Sequence, residues 1–366
     1  MTAQDVPMTS IERPAASSPQ PVAAPVVLSE RRGSIGIITL NRPKVINALN
    51  LAMVRQIADC LADFESETTT AIVLRGAGER GFCAGGDMVS ASVAAQAGEA
   101  DAARFFTEEY ALNLQISKCV TPVVAIMDGI VLGGGVGLSG HASHRVVTET
   151  ARVGMPEVGI GFIPDVGGTW LLSRANGQLG TFVALTGEHL DAAGAIACNL
   201  ADWQIERSSV DDLLSRLAEG QPVDDAIVTI GGTMNNDHGW LRDRPWIDRC
   251  FAADDATAIV NALCREIDGR AIAAAATIRT RSPLAVTVTL RALRIARQLG
   301  DLQSCLALEH SAVMQFLDTP DLHEGVRAAL IDKDRNPRWR PDRLEDVTSA
   351  DVDPFFEAFV RSNQAG

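Results

Sequence analysis

Short β-branched runs that end in turn residues alternate with amphipathic stretches along the first part of the chain. The runs "SIGIITLN" (34–41) and "TAIVLRG" (70–76) predict buried strands. Between them Asn50 is placed to cap a helix, and Met53, Val54, Ile57, Leu61 and Phe64 follow the spacing of one helical face. Strand, helix and strand at this spacing predict a crossover unit of an α/β fold. "PVVAIMDG" (122–129) and "HRVVTET" (144–150) predict two more strands, and the glycine-rich link between them leaves room for only a short helix, roughly residues 134–142. From about residue 225 the pattern turns helical and charged. "DDATAIVNALCREIDG" and "SPLAVTVTLRALRIARQLG" are amphipathic runs with breaks at Gly269, Pro283 and Gly300. The expected organisation is a leader (1–27), a strand-rich core (28–225) and a helical C-terminal region (226–366).

Composition narrows the picture. A chain of 366 residues, 46% hydrophobic and 21% charged, reads as soluble and globular with a substantial core. Its formal net charge of −14 argues against nucleic-acid partners, because binding there depends on neutralising phosphates with Lys and Arg. An anionic ligand has to be met by a local basic cluster. Seven cysteines without CxxC spacing read as free thiols in a reducing, cytoplasmic setting. Residues 1–25, rich in Ala, Pro and Ser and lacking an apolar h-region, read as a disordered leader and not as a signal or transit peptide. Residues 120–140 are almost entirely apolar, but a membrane helix would carry Pro122, Asp128 and a run of glycines through lipid. A buried strand, a turn and a glycine-rich helix start fit better, and no membrane partner is expected.

Four segments carry candidate chemistry. In "GERGFCAGGDM" (78–88), Gly85 and Gly86 let the backbone turn sharply and aim N–H groups at an acceptor; an ordinary turn is the alternative. In "DGIVLGGGVGLSG" (128–140), small residues at a helix start expose unsatisfied N–H groups at the positive end of its dipole; close helix packing is the alternative. Two such donors on one oxygen would polarise a carbonyl, each worth about 2.7–4 kcal/mol in the barrier. "NRPKVINALN" (41–50) supplies Arg42 and Lys44, either solvated or facing a phosphorylated ligand. "MPEVGIGFIPDVGGT" (155–169) sets Glu157 and Asp165 among glycines and apolar residues, as a catalytic pair or as a structural salt bridge or cap. His141 and His144 in "HASH" have no further ligand at a recognised spacing, so no metal site is expected. "GGGVG" lacks the GxGxxG order of a dinucleotide loop.

"NRPKVINALN", "GFCAGGD", "DGIVLGGGVGL" and "MPEVGIGFIPDVGGT", in this order, resemble the crotonase superfamily, also called the enoyl-CoA hydratase/isomerase family, over nearly the whole chain after the leader. "FFTEEY" (105–110), "LGTFVALTGEHLDAAGAIACNLADW" (179–203) and "LHEGVRAALIDKDRNPRWRP" (322–341) resemble its 3-hydroxyisobutyryl-CoA hydrolase subfamily. The resemblance implies an α/β, crotonase-like spiral of ββα units, with C-terminal helices covering an acyl-CoA site, and a homo-oligomer, trimer or hexamer. It places oxyanion donors on the backbone N–H groups of Gly86 and Gly134. It directs Arg42 and Lys44 toward the CoA phosphates, and sets Cys83, Ala84 and Gly85 along the path of the rest of CoA.

Hydratases that resemble this chain carry a glutamate three residues after the middle glycine, where Gly137 stands here, and a second at the position of Glu157. The hydrolase pattern offers Asp165 and Glu109 instead, with Glu108 a solvated neighbour. The implied reaction is hydrolysis of a short 3-hydroxyacyl-CoA, foremost 3-hydroxyisobutyryl-CoA to 3-hydroxyisobutyrate and CoA, as in valine breakdown. Glu157 would attack the carbonyl or deprotonate water, and Asp165 would orient the substrate hydroxyl or manage a proton. No cofactor is expected beyond the CoA of the substrate. An enoyl-CoA hydratase or isomerase, and a noncatalytic acyl-CoA-binding protein, are the alternatives.

Overall fold

The β-branched runs form strands where their composition predicts them. In the computed structural model, whose described residues are 24–65, 68–234 and 240–364, one sheet contains β1 (Val27–Arg32), β2 (Ile35–Leu40), β3 (Ala71–Gly76), β5 (Val123–Met127), β7 (His144–Thr148) and β9 (Trp203–Ile205), in that order. β1 runs antiparallel to β2, and every other neighbouring pair is parallel. A second sheet holds β4 (Gly81–Cys83), β6 (Ile130–Leu132) and β8 (Arg152–Gly154), parallel and in that order. The pairs β3/β4, β5/β6 and β7/β8 each give one strand to each sheet before the chain turns helical, which is the ββα spiral. Residues 1–23 of the expected leader lie outside the described residues.

The larger sheet is apolar on both faces because both are covered. Ile38, Leu40, Ile72, Leu74, Val123 and Ala125 face the main core. Ile35, Ile37, Ala71, Val73, Val124 and Ile126 face the opposite side, covered by Leu213, Leu214, Leu217, Ala226 and Ile227 from the helices Val210–Ala218 and Val223–Thr229.

Asn50 caps α1 (Leu51–Phe64) by accepting from Met53 N, and the five predicted apolar positions are its buried ones. α2 (Met88–Gln96) and α3 (Ala100–Lys118) follow β4, α4 (Gly134–Gly140) follows β6, and α5 (Gly168–Ser173) comes after a 3-10 turn at Glu157–Ile160. Gly269 and Pro283, expected as breaks, are the first residues of helices capped by Asp268 and Ser282. The boundary drawn at 225 falls inside the helix Val223–Thr229, and one apolar cluster runs from Val27 to Phe359, so the C-terminal helices share the strands' core. Among the described residues no helix is long and apolar enough to cross a membrane, and all seven cysteines are free.

Candidate active site

Because β4, β6 and β8 are parallel, their C-terminal ends lie on one side of the small sheet. Residues 84–86, 133–134 and 156–157 leave from that side and line a cavity of about 550 Å³ together with Phe106, Glu109, Phe162, Asp165 and Val166. The structure thus brings together Gly86, Gly134, Glu157, Asp165 and Glu109, segments up to 79 residues apart in sequence.

The first amide is presented by two loops paired to each other. Leu49 N donates to Gly85 O (2.8 Å), Asp87 N to Leu49 O (2.8 Å) and Ala84 N to Ile46 O (2.9 Å). The Gly86 N–H has no acceptor among the described residues, nor has that of Gly134 at the start of α4. A Cβ added at Gly134 would lie 3.3 Å from Gly86 N and 2.5 Å from Glu109 Oε1, so the two amides are neighbours and a larger residue there would displace the Glu109 carboxyl. A Cβ at Gly133, whose φ is +48°, would lie 2.7 Å from Glu157 Oε1.

Asn47, fully buried with φ 55°, braces this arrangement. Its Nδ2 donates to the carbonyls of Ala77, Gly81 and Phe82 (3.0, 3.1 and 3.1 Å), and its Oδ1 accepts from Arg42 N (2.9 Å). The Arg42 guanidinium donates to Ala48 O and to the Asp87 carboxylate at 3.1 Å, so its charge is committed to the amide loop. Arg42 stands off the cavity wall, as do exposed Lys44 and fully buried Cys83, whose thiol is pushed up to about 12 by burial. Ala84 and Gly85 line the wall.

On α3 the helical rotation separates two adjacent glutamates. Glu108 faces solvent and pairs with Arg55 (2.6 Å), while Glu109 is buried in the cavity. Glu109 Oε1 and Glu157 Oε2 have no hydrogen-bond partner, and Asp165 Oδ2 accepts from the Tyr110 hydroxyl at 2.7 Å. None of the three carboxyls has an ion pair among the described residues. Burial, and then the charge of Asp165, hold Glu109 and Glu157 well above the usual carboxylate range. Burial also lifts Asp165 to about 7, with the Tyr110 hydrogen bond pulling the other way. Like charges that share one buried cavity and raise one another do not all ionise at neutral pH.

Tyr110 and Asn47 carry no role in the sequence reading; the available signal for Tyr110 was its place beside Glu109 in "FFTEEY". Arg281, Arg335 and His189 also line the cavity. His141 Nε2 donates to Val166 O (2.8 Å), and no group of three or more metal-ligating side chains occurs among the described residues.

The family profile described as enoyl-CoA hydratase/isomerase matches residues 35–356. The mitochondrial 3-hydroxyisobutyryl-CoA hydrolase of Rattus norvegicus is 39% identical over 342 residues, 91% of this chain and 89% of that protein. The enzyme of the same name from Homo sapiens is 38% identical over 354 residues, 93% and 91% of the two chains. Among solved structures, a carnitinyl-CoA dehydratase from Mycobacterium thermoresistibile matches with a TM-score of 0.87 at 44% identity, covering 90% of this chain and 96% of that one. An enoyl-CoA hydratase from Rhodobacter sphaeroides 2.4.1 matches with a TM-score of 0.85 at 35% identity, covering 91% and 97%.

Two expectations follow from the electrostatics. Tyr110→Phe removes the hydrogen bond that favours the charged form of Asp165, so a ¹³C NMR titration of that carboxyl is expected to give a midpoint above the wild type's. Between the ordinary glutamate pKa and its raised folded value, folded Glu109 keeps a proton that the unfolded chain has lost, so stability falls as pH rises through that window. Glu109→Gln abolishes this loss; calorimetry is expected to show its Tm above the wild type's by about 3 °C or more at pH 8, with a smaller difference at pH 4.

Proposed function

The chain belongs to the enoyl-CoA hydratase/isomerase family, and on that premise we propose that it hydrolyses a short 3-hydroxyacyl-CoA thioester, 3-hydroxyisobutyryl-CoA foremost, to the 3-hydroxy acid and free CoA. The observation that carries this reading is the meeting of two unclaimed amides, at Gly86 and Gly134, with an unpartnered buried carboxylate at Glu157. The curated relatives named 3-hydroxyisobutyryl-CoA hydrolase, matched along about nine-tenths of both chains, support the same substrate.

The thioester oxygen accepts from both amides, which stabilise the charge that develops as the carbonyl carbon becomes tetrahedral. Glu157, deprotonated, removes a proton from the attacking water, or itself attacks to give a mixed anhydride that water then cleaves. Asp165, lifted to about 7, is poised to exchange a proton with the leaving thiolate or with water near neutral pH. Glu109 lies beside the Gly134 amide, within reach of the acyl group.

The titles of the two solved relatives raise hydration or dehydration as a second reading, since the same amides would polarise an enoyl thioester. Position 137 weighs against it. A Cβ there would fall 2.6 Å from Val166 Cβ and 3.0 Å from Asn113 Nδ2, so the chain has no room for a second glutamate at that point. Hydrolysis of 3-hydroxyisobutyryl-CoA fits valine breakdown. Free thiols support a reducing compartment, and we take this to be the cytosol, while the relatives are named mitochondrial. A trimeric or hexameric assembly is carried over from the resemblance.

Thiol release from 3-hydroxyisobutyryl-CoA is expected to exceed the loss of enoyl absorbance from crotonyl-CoA, and Glu157→Gln to lower it about 10³-fold. Faster consumption of crotonyl-CoA, or full activity in the variant, would overturn the reading. Single turnover in ¹⁸O-water tests the covalent route: label in the Glu157 carboxylate marks an anhydride cleaved at the glutamyl carbon, whereas general-base action, like cleavage at the acyl carbon, leaves label only in the product acid.

A further inference from the structure

Asp165 is followed by a β-branched residue in a backbone conformation that L side chains rarely adopt. Val166 has φ 53° and is almost fully buried, its side chain filling the space over Gly137. A branched residue stays in the left-handed region only where its surroundings impose it. His141 Nε2 donates to Val166 O (2.8 Å), and Gly168 N donates to Asp165 O (2.6 Å).

The third constraint comes from the C-terminal helix Leu302–Phe316. Glu309 on that helix is fully buried, and its carboxylate accepts from Gly167 N (2.7 Å), Thr169 N (2.8 Å) and Thr169 Oγ1 (2.5 Å). Every hydrogen bond made by this carboxylate among the described residues goes to the turn that follows Asp165. It has no cation partner there, a costly state for a group whose role was packing alone. Both oxygens are needed as acceptors, because Gly167 N and Thr169 N can only donate. A glutamine would turn an N–H toward one of them.

We propose that Glu309 is a positioning residue for the reaction: its carboxylate locks the left-handed turn at Val166 and thereby aims the Asp165 carboxyl into the cavity, against Tyr110. This rests on the reading of Asp165 as part of the hydrolytic site. The helical region then contributes to chemistry from 142 residues away in sequence, through the backbone it holds.

The test combines thiol-release kinetics on 3-hydroxyisobutyryl-CoA with crystal structures of Glu309→Gln, Asp165→Asn and the double variant. Glu309→Gln is expected to lower kcat about 30-fold or more with KM within about 3-fold, since small misplacements of an acting group cost rate more than binding. In the D165N background the same change is expected to cost no more than about 3-fold further, because both act through one carboxyl. The E309Q crystal structure is expected to show Val166 outside the left-handed region and the Tyr110–Asp165 hydrogen bond broken. Thr169→Val removes one donor without changing side-chain volume; it is expected to give a smaller loss of the same pattern and stands in if E309Q does not fold. Wild-type kcat in these variants, full additivity with D165N, or an unchanged turn overturns the proposal. Absence of thiol release in the wild type instead overturns the hydrolytic reading, wild-type turnover in D165N overturns the part given to Asp165 in it, and in either case the E309Q crystal structure still decides whether Glu309 holds the turn.

Discussion

Glu109, Glu157 and Asp165 share a cavity in which none of them has a cation partner, and that burial is the constraint to which the surrounding structure answers. An unpaired carboxylate out of water is destabilising by several kcal/mol, and three together also repel. The left-handed Val166 adds about 1–3 kcal/mol of strain. Offsetting terms come from the apolar mass around the site. From Phe106 and Phe162 on the cavity wall, a chain of ring contacts at 5.6, 5.6 and 4.5 Å continues to Phe316 and Phe355. The core cluster continues through both the strands and the C-terminal helices.

The small sheet converts topology into chemistry. Its three strands are parallel, so three chain exits arrive on one side, and each brings one functional group: the Gly86 amide, the Gly134 amide and the Glu157 carboxyl. The positive φ at Gly133 favours glycine, and a side chain at 133 or 134 would displace the Glu157 or Glu109 carboxyl. The amides stay free because neighbouring backbone groups are satisfied elsewhere, through the pairing of the loops around Leu49 and Gly86 and through Asn47. A preorganised pair of donors of this kind does not have to reorient as charge develops on a bound oxygen.

What the sequence disclosed follows from the range of the interactions involved. Strands β2, β3, β5 and β7, the Asn50 cap and the buried face of α1 were legible because each depends on spacing within a few residues, whereas the three-residue strands of the small sheet are too short to leave a pattern. The glycine segments and the pair Glu157 and Asp165 stood out locally, with structural alternatives open, whereas Glu109 was legible only through resemblance to a family, since nothing local distinguishes it from Glu108. Asn47, Tyr110 and Glu309 stayed hidden because their partners lie 30 to 35, 55 and 140 to 142 residues away. The resemblance directed Arg42 toward the CoA phosphates; its contact with Asp87, 45 residues further on, which ties it to the amide loop, had no local signal.

The most direct test of the two-amide site is a crystal structure with a CoA ketone in which a methylene replaces the thioester sulfur. The ketone oxygen is expected within about 3.1 Å of both Gly86 N and Gly134 N, with the Glu157 carboxylate facing the carbonyl carbon. An oxygen turned away from both amides, in a fully occupied ligand, would contradict the assignment.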